Sequence, residues 1–412
     1  MAARSESWSP PAEPRRWAAA TLAGALLLTG VWGLLHLGFF THGEIVDTPV
    51  YQRYGDAMLD GQVPYRDFAL EYPPAALPVF VLPSLAAASD YRHVFEGLML
   101  ACGLAIVALV ACALVAAGVS RGRLYGAVAL TALAPLALGP VVLTRFDLWP
   151  AALVAGAIAA LATDRPRLGL GLLGVAVAAK LYPLVLLPVA LVYVGRREGR
   201  REALLSLAVF AAVVAAIVVP FAVLAPDGLA HSLTRQSGRP LQIESLGAAV
   251  LLVGHQLELY VPNVVSSSGS QNLSGTFPDA LAAVLTALEA IAVVGVWALY
   301  ARLPGGRDRL FLGAAASVAA FVAFGKVLSP QFLIWLVPLV PLVVGTNGVG
   351  AGVLFVAALV LTQLWFPHGY WDLVGLGSQA WLVFVRDLVL VGLAAVLAAG
   401  LSRARSGAAR SP

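Results

Sequence analysis

The sequence predicts an all-α, polytopic membrane protein with about 11–12 transmembrane or re-entrant helices, a spanning helix taking roughly 20 residues. Three observations carry that expectation. The 412 residues are 60% hydrophobic and only 12% charged, whereas in soluble domains about a quarter of the residues are charged. The apolar residues fall in long runs, giving a mean hydropathy of +0.87. The basic residues sit in short loops beside those runs, a pattern of membrane topology and not of a nucleic-acid-binding face.

Residues 1–16 are polar and proline-rich and read as a disordered cytoplasmic tail. The run 17–40 would reach about 36 Å as a helix, too long for a signal-peptide core and long enough to span. No small-x-small cleavage site closes it, so it is expected to be retained. A first outer loop covers 41–93. After Pro73-Pro74, the short apolar piece 75–88 is broken by Pro78 and Pro83 and reads as interfacial or re-entrant. The runs 94–119, 124–143 and 148–162 follow. Run 168–194 is interrupted by Lys180 and has basic segments at both ends, which predicts two short helices meeting near Lys180-Leu181-Tyr182-Pro183.

Run 203–224 leads to a second long outer loop, 225–279, with an interfacial stretch at 246–260 and the low-complexity segment 266–270. Runs 280–301, 310–327, 332–345, 349–366 and 381–401 complete a single membrane domain spanning 17–401, and 402–412 form a basic cytoplasmic tail. On this topology 17 of the 26 Lys and Arg lie inside, against 6 of the 22 acidic residues. That bias puts both termini in the cytoplasm and the acidic first loop outside. Cys102 and Cys112 are about 15 Å apart along one helical run, too far to bridge each other.

The first outer loop gathers Glu44, Asp47, Asp56, Asp60, Asp67 and Glu71 with Arg53 and Arg66. A polar loop of that length between spans is more often functional than a mere connector. Asp47, four residues before Tyr51, is placed to take a proton from an attacking hydroxyl, with Glu44 as its nearest rival. Asp followed by Thr48-Pro49 is also a good helix start, so a cap is the plain alternative. Arg66, Asp67, Glu71 and Tyr72 are candidate contacts to a polyhydroxyl ligand, or else local ion pairs that fold the loop.

The chain has two lysines, Lys180 and Lys326, and both interrupt apolar runs. A lysine at a helix centre costs on the order of 2.5–3.5 kcal/mol on insertion scales and tends to serve a purpose. Each can hold a phosphate and neutralise a leaving group, or snorkel to the interface. Tyr182-Pro183 and Ser329-Pro330-Gln331 follow them, and the prolines break helices so that backbone can line a cavity. Arg145 is a further phosphate candidate and Asp147 a sugar candidate, or the two tie helix ends together. Arg239 and Glu244 are weaker candidates for substrate contact. Glu289 and the Arg386-Asp387 pair read as structural.

Several signals are absent. There is no Gly-x-x-x-x-Gly-Lys-Ser/Thr loop and no His-Glu-x-x-His, and no cytoplasmic loop carries an Asp-x-Asp pair. The six histidines are scattered without ligand spacing, so no metal or other cofactor is expected. No repeat of 20–50 residues is evident, which weakens a transporter or flippase built from repeated halves.

Three segments carry a resemblance to a known family. They are Asp47-x-x-x-Tyr51 with Gly61-Gln62-Val63-Pro64-Tyr65-Arg66-Asp67-Phe68 and Glu71-Tyr72-Pro73-Pro74; Ala178-Ala179-Lys180-Leu181-Tyr182-Pro183; and Gly325-Lys326-Val327-Leu328-Ser329-Pro330-Gln331-Phe332. Here the sequence resembles the polyprenyl-phosphate-sugar-dependent glycosyltransferases of the GT-C fold, and among them family 87, a group of actinobacterial α-mannosyltransferases. The resemblance implies a GT-C-like helical bundle in the bacterial plasma membrane, with its active site on the outer face. It implies a lipid-phosphate donor, commonly polyprenyl-phosphate mannose, used with inversion on a lipid or glycan acceptor of the cell envelope. It also places the catalytic aspartate in the first outer loop, at Asp47.

Overall fold

The computed structural model describes residues 14–41, 43 and 45–408. Glu44, the predicted rival of Asp47, lies outside the described residues. The chain opens with α1 (Pro14–Leu35), the single turn α2 (Gly38–Thr41) and α3 (Thr48–Leu59). Next come α4 (Leu77–Ser84), α5 (Tyr91–Ala116), α6 (Arg121–Leu138), the turn α7 (Val141–Thr144) and α8 (Leu148–Ala162). A broken pair follows, α9 (Pro166–Ala179) and α10 (Leu187–Arg197), then α11 (Arg200–Leu224), α12 (Pro226–Ser237) and α13 (Leu246–Gln256). The last helices are α14 (Thr276–Tyr300), α15 (Arg307–Phe324), α16 (Gly345–Trp365), the turn α17 (Tyr370–Val374) and α18 (Gln379–Ala408).

Among the described residues, α1, α5, α11, α14, α16 and α18 are long and apolar enough to cross a membrane. Shorter apolar helices, including α8 and α9, pack between them. The amount each helix buries follows from its place. Helix α8 buries almost every residue from Val154 to Ala162, whereas α11 buries only Ser206 and Phe210. A helix that is apolar all round yet so little covered by protein has its surface matched to lipid. Chain breaks fall where the sequence forbids a helix from continuing. Ala179 ends α9, Lys180 is extended, and the tight turn Tyr182–Leu186 leads into α10. Pro183 lacks the amide hydrogen that a continuous helix would need.

Two expectations require correction. Residues 332–345, read as an apolar run that could span, form two tight 3₁₀ segments instead, Pro330–Leu336 and Val340–Leu342. Pro330, Pro338 and Pro341 prevent one continuous helix there. The serine-rich end of the second outer loop is ordered and not featureless. β1 (Leu241–Gln242), β2 (Asn263–Ser267) and β3 (Ser270–Ser274) form a small antiparallel sheet in the order β1-β3-β2. Ser267 pairs with Ser270, leaving Ser268 and Gly269 as a two-residue turn. Both have positive φ, 53° and 69°, as the favoured hairpin turns require.

The opposite end of the bundle is held by basic side chains on helix termini. Asp164 takes Arg197 at 2.6 Å and Arg307 at 2.7 Å, and Arg167 meets Glu202 at 2.8 Å. Arg16 donates to the Val119 carbonyl at 2.7 Å. Ion pairs this exposed contribute roughly 0–1 kcal/mol each; their larger effect is to fix where helices end.

Candidate active site

Asp47 stands at the start of α3, and Pro49 in the first turn fixes the helix entry. Its side chain makes no capping hydrogen bond, so the carboxylate is available elsewhere. It forms an ion pair with Arg145 and accepts from the Tyr51 hydroxyl at 3.3 Å. The Asp47 side chain remains 32% exposed. Tyr51 is fully buried, stacked on Phe80 with ring centroids 4.6 Å apart, so its hydroxyl is a fixed partner for the aspartate.

Arg145 lies in the extended break between α7 and α8. It is buried, and Nη2 also donates to the Ile45 carbonyl at 3.2 Å. The next residue, Phe146, is wholly buried, and the next after that, Asp147, opens α8. Asp147 Oδ1 accepts from Lys180 Nζ at 2.6 Å and from the Trp335 indole N–H at 2.6 Å. Three consecutive residues thus connect the aspartate of the first loop to the lysine of the broken helix. Two residues of extended chain cover at most about 7 Å. Asp47 and Lys180 therefore belong to one cluster, although 133 positions separate them in sequence.

Rings surround Lys180. Nζ is 4.7 Å from the Phe146 centroid, 5.3 Å from Trp335, 5.7 Å from Phe332 and 5.9 Å from Tyr72. Trp335 is sandwiched between Tyr182 at 4.1 Å and Phe332 at 4.0 Å. Ring faces attract a cation, and the Asp147 carboxylate supplies the countercharge that a buried ammonium needs. An ammonium has three N–H donors, of which Asp147 uses one.

Glu244, just past β1, forms the other wing. It accepts from Gln242 Nε2 at 2.5 Å and from Ser329 Oγ at 3.3 Å, while its backbone carbonyl takes Arg386 Nη2 at 2.7 Å. Burial pushes its carboxyl up to about 7, against the opposing pull of Arg386 and Arg145. Arg239 donates to Ser270 Oγ at 2.9 Å and interacts electrostatically with Glu71, Tyr72 and Glu244. It also acts on Lys180.

Other predicted residues lie outside this cluster. Lys326 interacts electrostatically with Glu289 of α14, and its carbonyl accepts from the Gln242 amide at 3.0 Å. Gln331 sits in the first turn of the Pro330–Leu336 segment. Arg66 and Asp67 form an exposed two-point pair, both bonds 2.9 Å, and Asp67 also accepts from the Val63 amide at 2.7 Å. The Arg66 fork and that amide hold the Asp67 carboxyl down at about 2. Arg386 and Asp387 pair at 2.7 Å in the core. Trp335 and Phe146 were not among the predicted residues. Each sits in an apolar stretch, and only long-range contacts bring it to Lys180.

The sequence matches glycosyltransferase family 87 over residues 70–330. No curated protein matches it. In three dimensions the chain is similar to the crystal structure of ArnT from Cupriavidus metallidurans bound to undecaprenyl phosphate. That chain is 16% identical, with a TM-score of 0.50 over 94% of this chain and 78% of that one. At this identity the likeness concerns the fold, which is that of the GT-C membrane glycosyltransferases. The family match covers more than half of the sequence, and the chain belongs to glycosyltransferase family 87.

Proposed function

We propose that this glycosyltransferase moves a hexose, in the first instance mannose, from a polyprenyl-phosphate donor to a lipid or glycan acceptor of the cell envelope. The reaction inverts the anomeric centre and takes place on the outer face of the bacterial plasma membrane, with both termini cytoplasmic. One membrane domain, 17–401, carries it between two cytoplasmic tails. The observation that carries this reading is the Arg145-Phe146-Asp147 bridge between Asp47 and Lys180. The undecaprenyl phosphate in the ArnT structure supports a lipid-phosphate donor.

In this reading Asp47 takes the proton of the acceptor hydroxyl as its oxygen bonds to the anomeric carbon. The bond from that carbon to the phosphate oxygen breaks, and its electron pair leaves with the phosphate. Lys180 holds the departing phosphate through the ammonium protons that Asp147 leaves unused. Arg145 stands between the base and the phosphate and adds positive charge for the latter, with Lys326 as a further cation for the donor. Base and phosphate site must lie on opposite sides of the anomeric carbon, so positioning matters as much as chemistry. Glu44, Tyr51, Tyr72, Asp147, Tyr182, Gln331, Arg239 and Glu244 are proposed to shape the sugar and acceptor environment.

The test uses purified protein, radiolabelled polyprenyl-phosphate mannose and a membrane lipid extract. Asp47→Asn is expected to lower transfer by about 10²–10⁴-fold, with expression and donor binding retained. Lys180→Ala is expected chiefly to raise the donor KM. Wild-type turnover by Asp47→Asn would remove the base assignment, and an unchanged donor KM in Lys180→Ala would remove the phosphate role. Transfer from another polyprenyl-phosphate sugar but not from mannose would overturn the sugar alone.

A further inference from the structure

We propose that a second cavity, beside the Asp47–Lys180 cluster, is the acceptor subsite and that it takes one uncharged sugar ring in preference to a phosphate or an acidic sugar. This rests on the transferase reading above and adds to it the place and the charge of the acceptor. The cavity measures about 220 Å³ and lies between residues 65–71 and α12. Pockets for drug-sized ligands run from roughly 300 to 1,000 Å³, so this one suits a single ring and not a chain.

Its position follows from two adjacent residues. Glu71 lines the cavity, while the ring of Tyr72 lies 5.9 Å from Lys180 Nζ. Glu71 also acts electrostatically on Arg239, which in turn acts on Lys180. A ring held in the cavity therefore lies next to the reacting cluster. The walls are fixed by backbone contact: a Cβ added to Gly228 of α12 would fall 1.9 Å from the Tyr65 carbonyl oxygen. The Tyr65 hydroxyl in turn donates to the Tyr72 carbonyl at 2.6 Å.

Its charge selects the ligand. Among the described lining residues Arg66 and Arg235 face Asp67 and Glu71, so the formal charges cancel. Both donor edges of Arg66 are already used by Asp67. A phosphate entering here would have to displace Asp67 from a two-point contact and then meet two carboxylates. A neutral ring meets no such conflict. Its vicinal hydroxyls donate to carboxylates and accept from guanidinium, and Phe68, stacked on Tyr54 at 5.8 Å, offers a face to the ring's C–H groups.

The experiment measures saturation-transfer NMR on the full chain in detergent, with methyl α-mannopyranoside as the neutral probe and inorganic phosphate as competitor. The hexoside signal is expected in the wild type, untouched by phosphate. Ser232→Trp, which fills the cavity, is expected to lose it while donor-lipid binding persists, and to raise the acceptor KM by about tenfold or more with kcat and donor KM unchanged. Asp67→Asn frees Arg66 and should make phosphate a competitor. A hexoside signal and acceptor KM that survive Ser232→Trp, or phosphate competition already in the wild type, overturn the subsite. Wild-type protein that binds the hexoside in a Ser232-sensitive way, yet transfers no sugar from any polyprenyl-phosphate donor, overturns the transferase mechanism and leaves the sugar site standing.

Discussion

Glu244 shows how one residue sets a pH response for the whole cluster. Its carboxyl is pushed up to about 7 by burial, well above the ordinary carboxylate value of about 4.3. Between those two values the folded chain holds a proton that the unfolded chain has released. Stability therefore falls as pH rises through that window and levels off above about 7. The same proton affects donor binding. Ionised Glu244 adds a negative charge beside Arg145, with which it interacts, and so opposes a phosphate bound there. The donor KM is expected to rise as pH passes about 7, and Glu244→Gln should flatten that rise while keeping wild-type affinity at pH 6. A KM profile for Glu244→Gln that still turns upward near 7 assigns the titration to another group.

At the scale of elements, the site depends on how breaks in helices meet. The interruption at Lys180 was legible because a charge and a proline within four residues cannot continue an apolar helix. Asp47 was legible as a base or a cap, and its geometry, an ion pair with no cap bond, separates the two. Trp335 was not legible. Its bond to Asp147 spans 188 positions, and one tryptophan in an apolar run looks like any other core residue. The fold of 332–345 was misjudged because hydropathy outweighed Pro338 and Pro341. The contact of α12 with the first outer loop was also hidden, since it uses a glycine against a backbone carbonyl. It predicts that Gly228→Ala, forced off the Tyr65 carbonyl, loses about 1–3 kcal/mol of stability, the usual cost of overpacking. Thermal unfolding in detergent reads this as a lowered Tm; an unchanged Tm means that α12 is not seated on that loop.

At the scale of the molecule, charge divides the bundle into two ends with different tasks. One end holds Arg167, Arg197 and Arg307 in exposed pairs with Glu202 and Asp164, which close the turns between helices. The other carries the sheet, α12, α13 and the Asp47 cluster, where ionised groups are buried and mutually compensated. The segregation was readable from the sequence because basic residues in short loops resist translocation. The burial was not readable, because it depends on rings and carboxylates drawn from six separate segments. The orientation has a direct test in intact cells. A membrane-impermeant maleimide should label Ser268→Cys, at the hairpin turn, without permeabilisation. It should reach Glu198→Cys, between α10 and α11, only after the membrane is opened. Cys102 is buried and Cys112 half-buried, so background from the native thiols is small, and the cysteine-free chain measures it. Labelling in the reverse order would place Asp47 on the cytoplasmic side, where a lipid-linked donor on the outer leaflet cannot reach it.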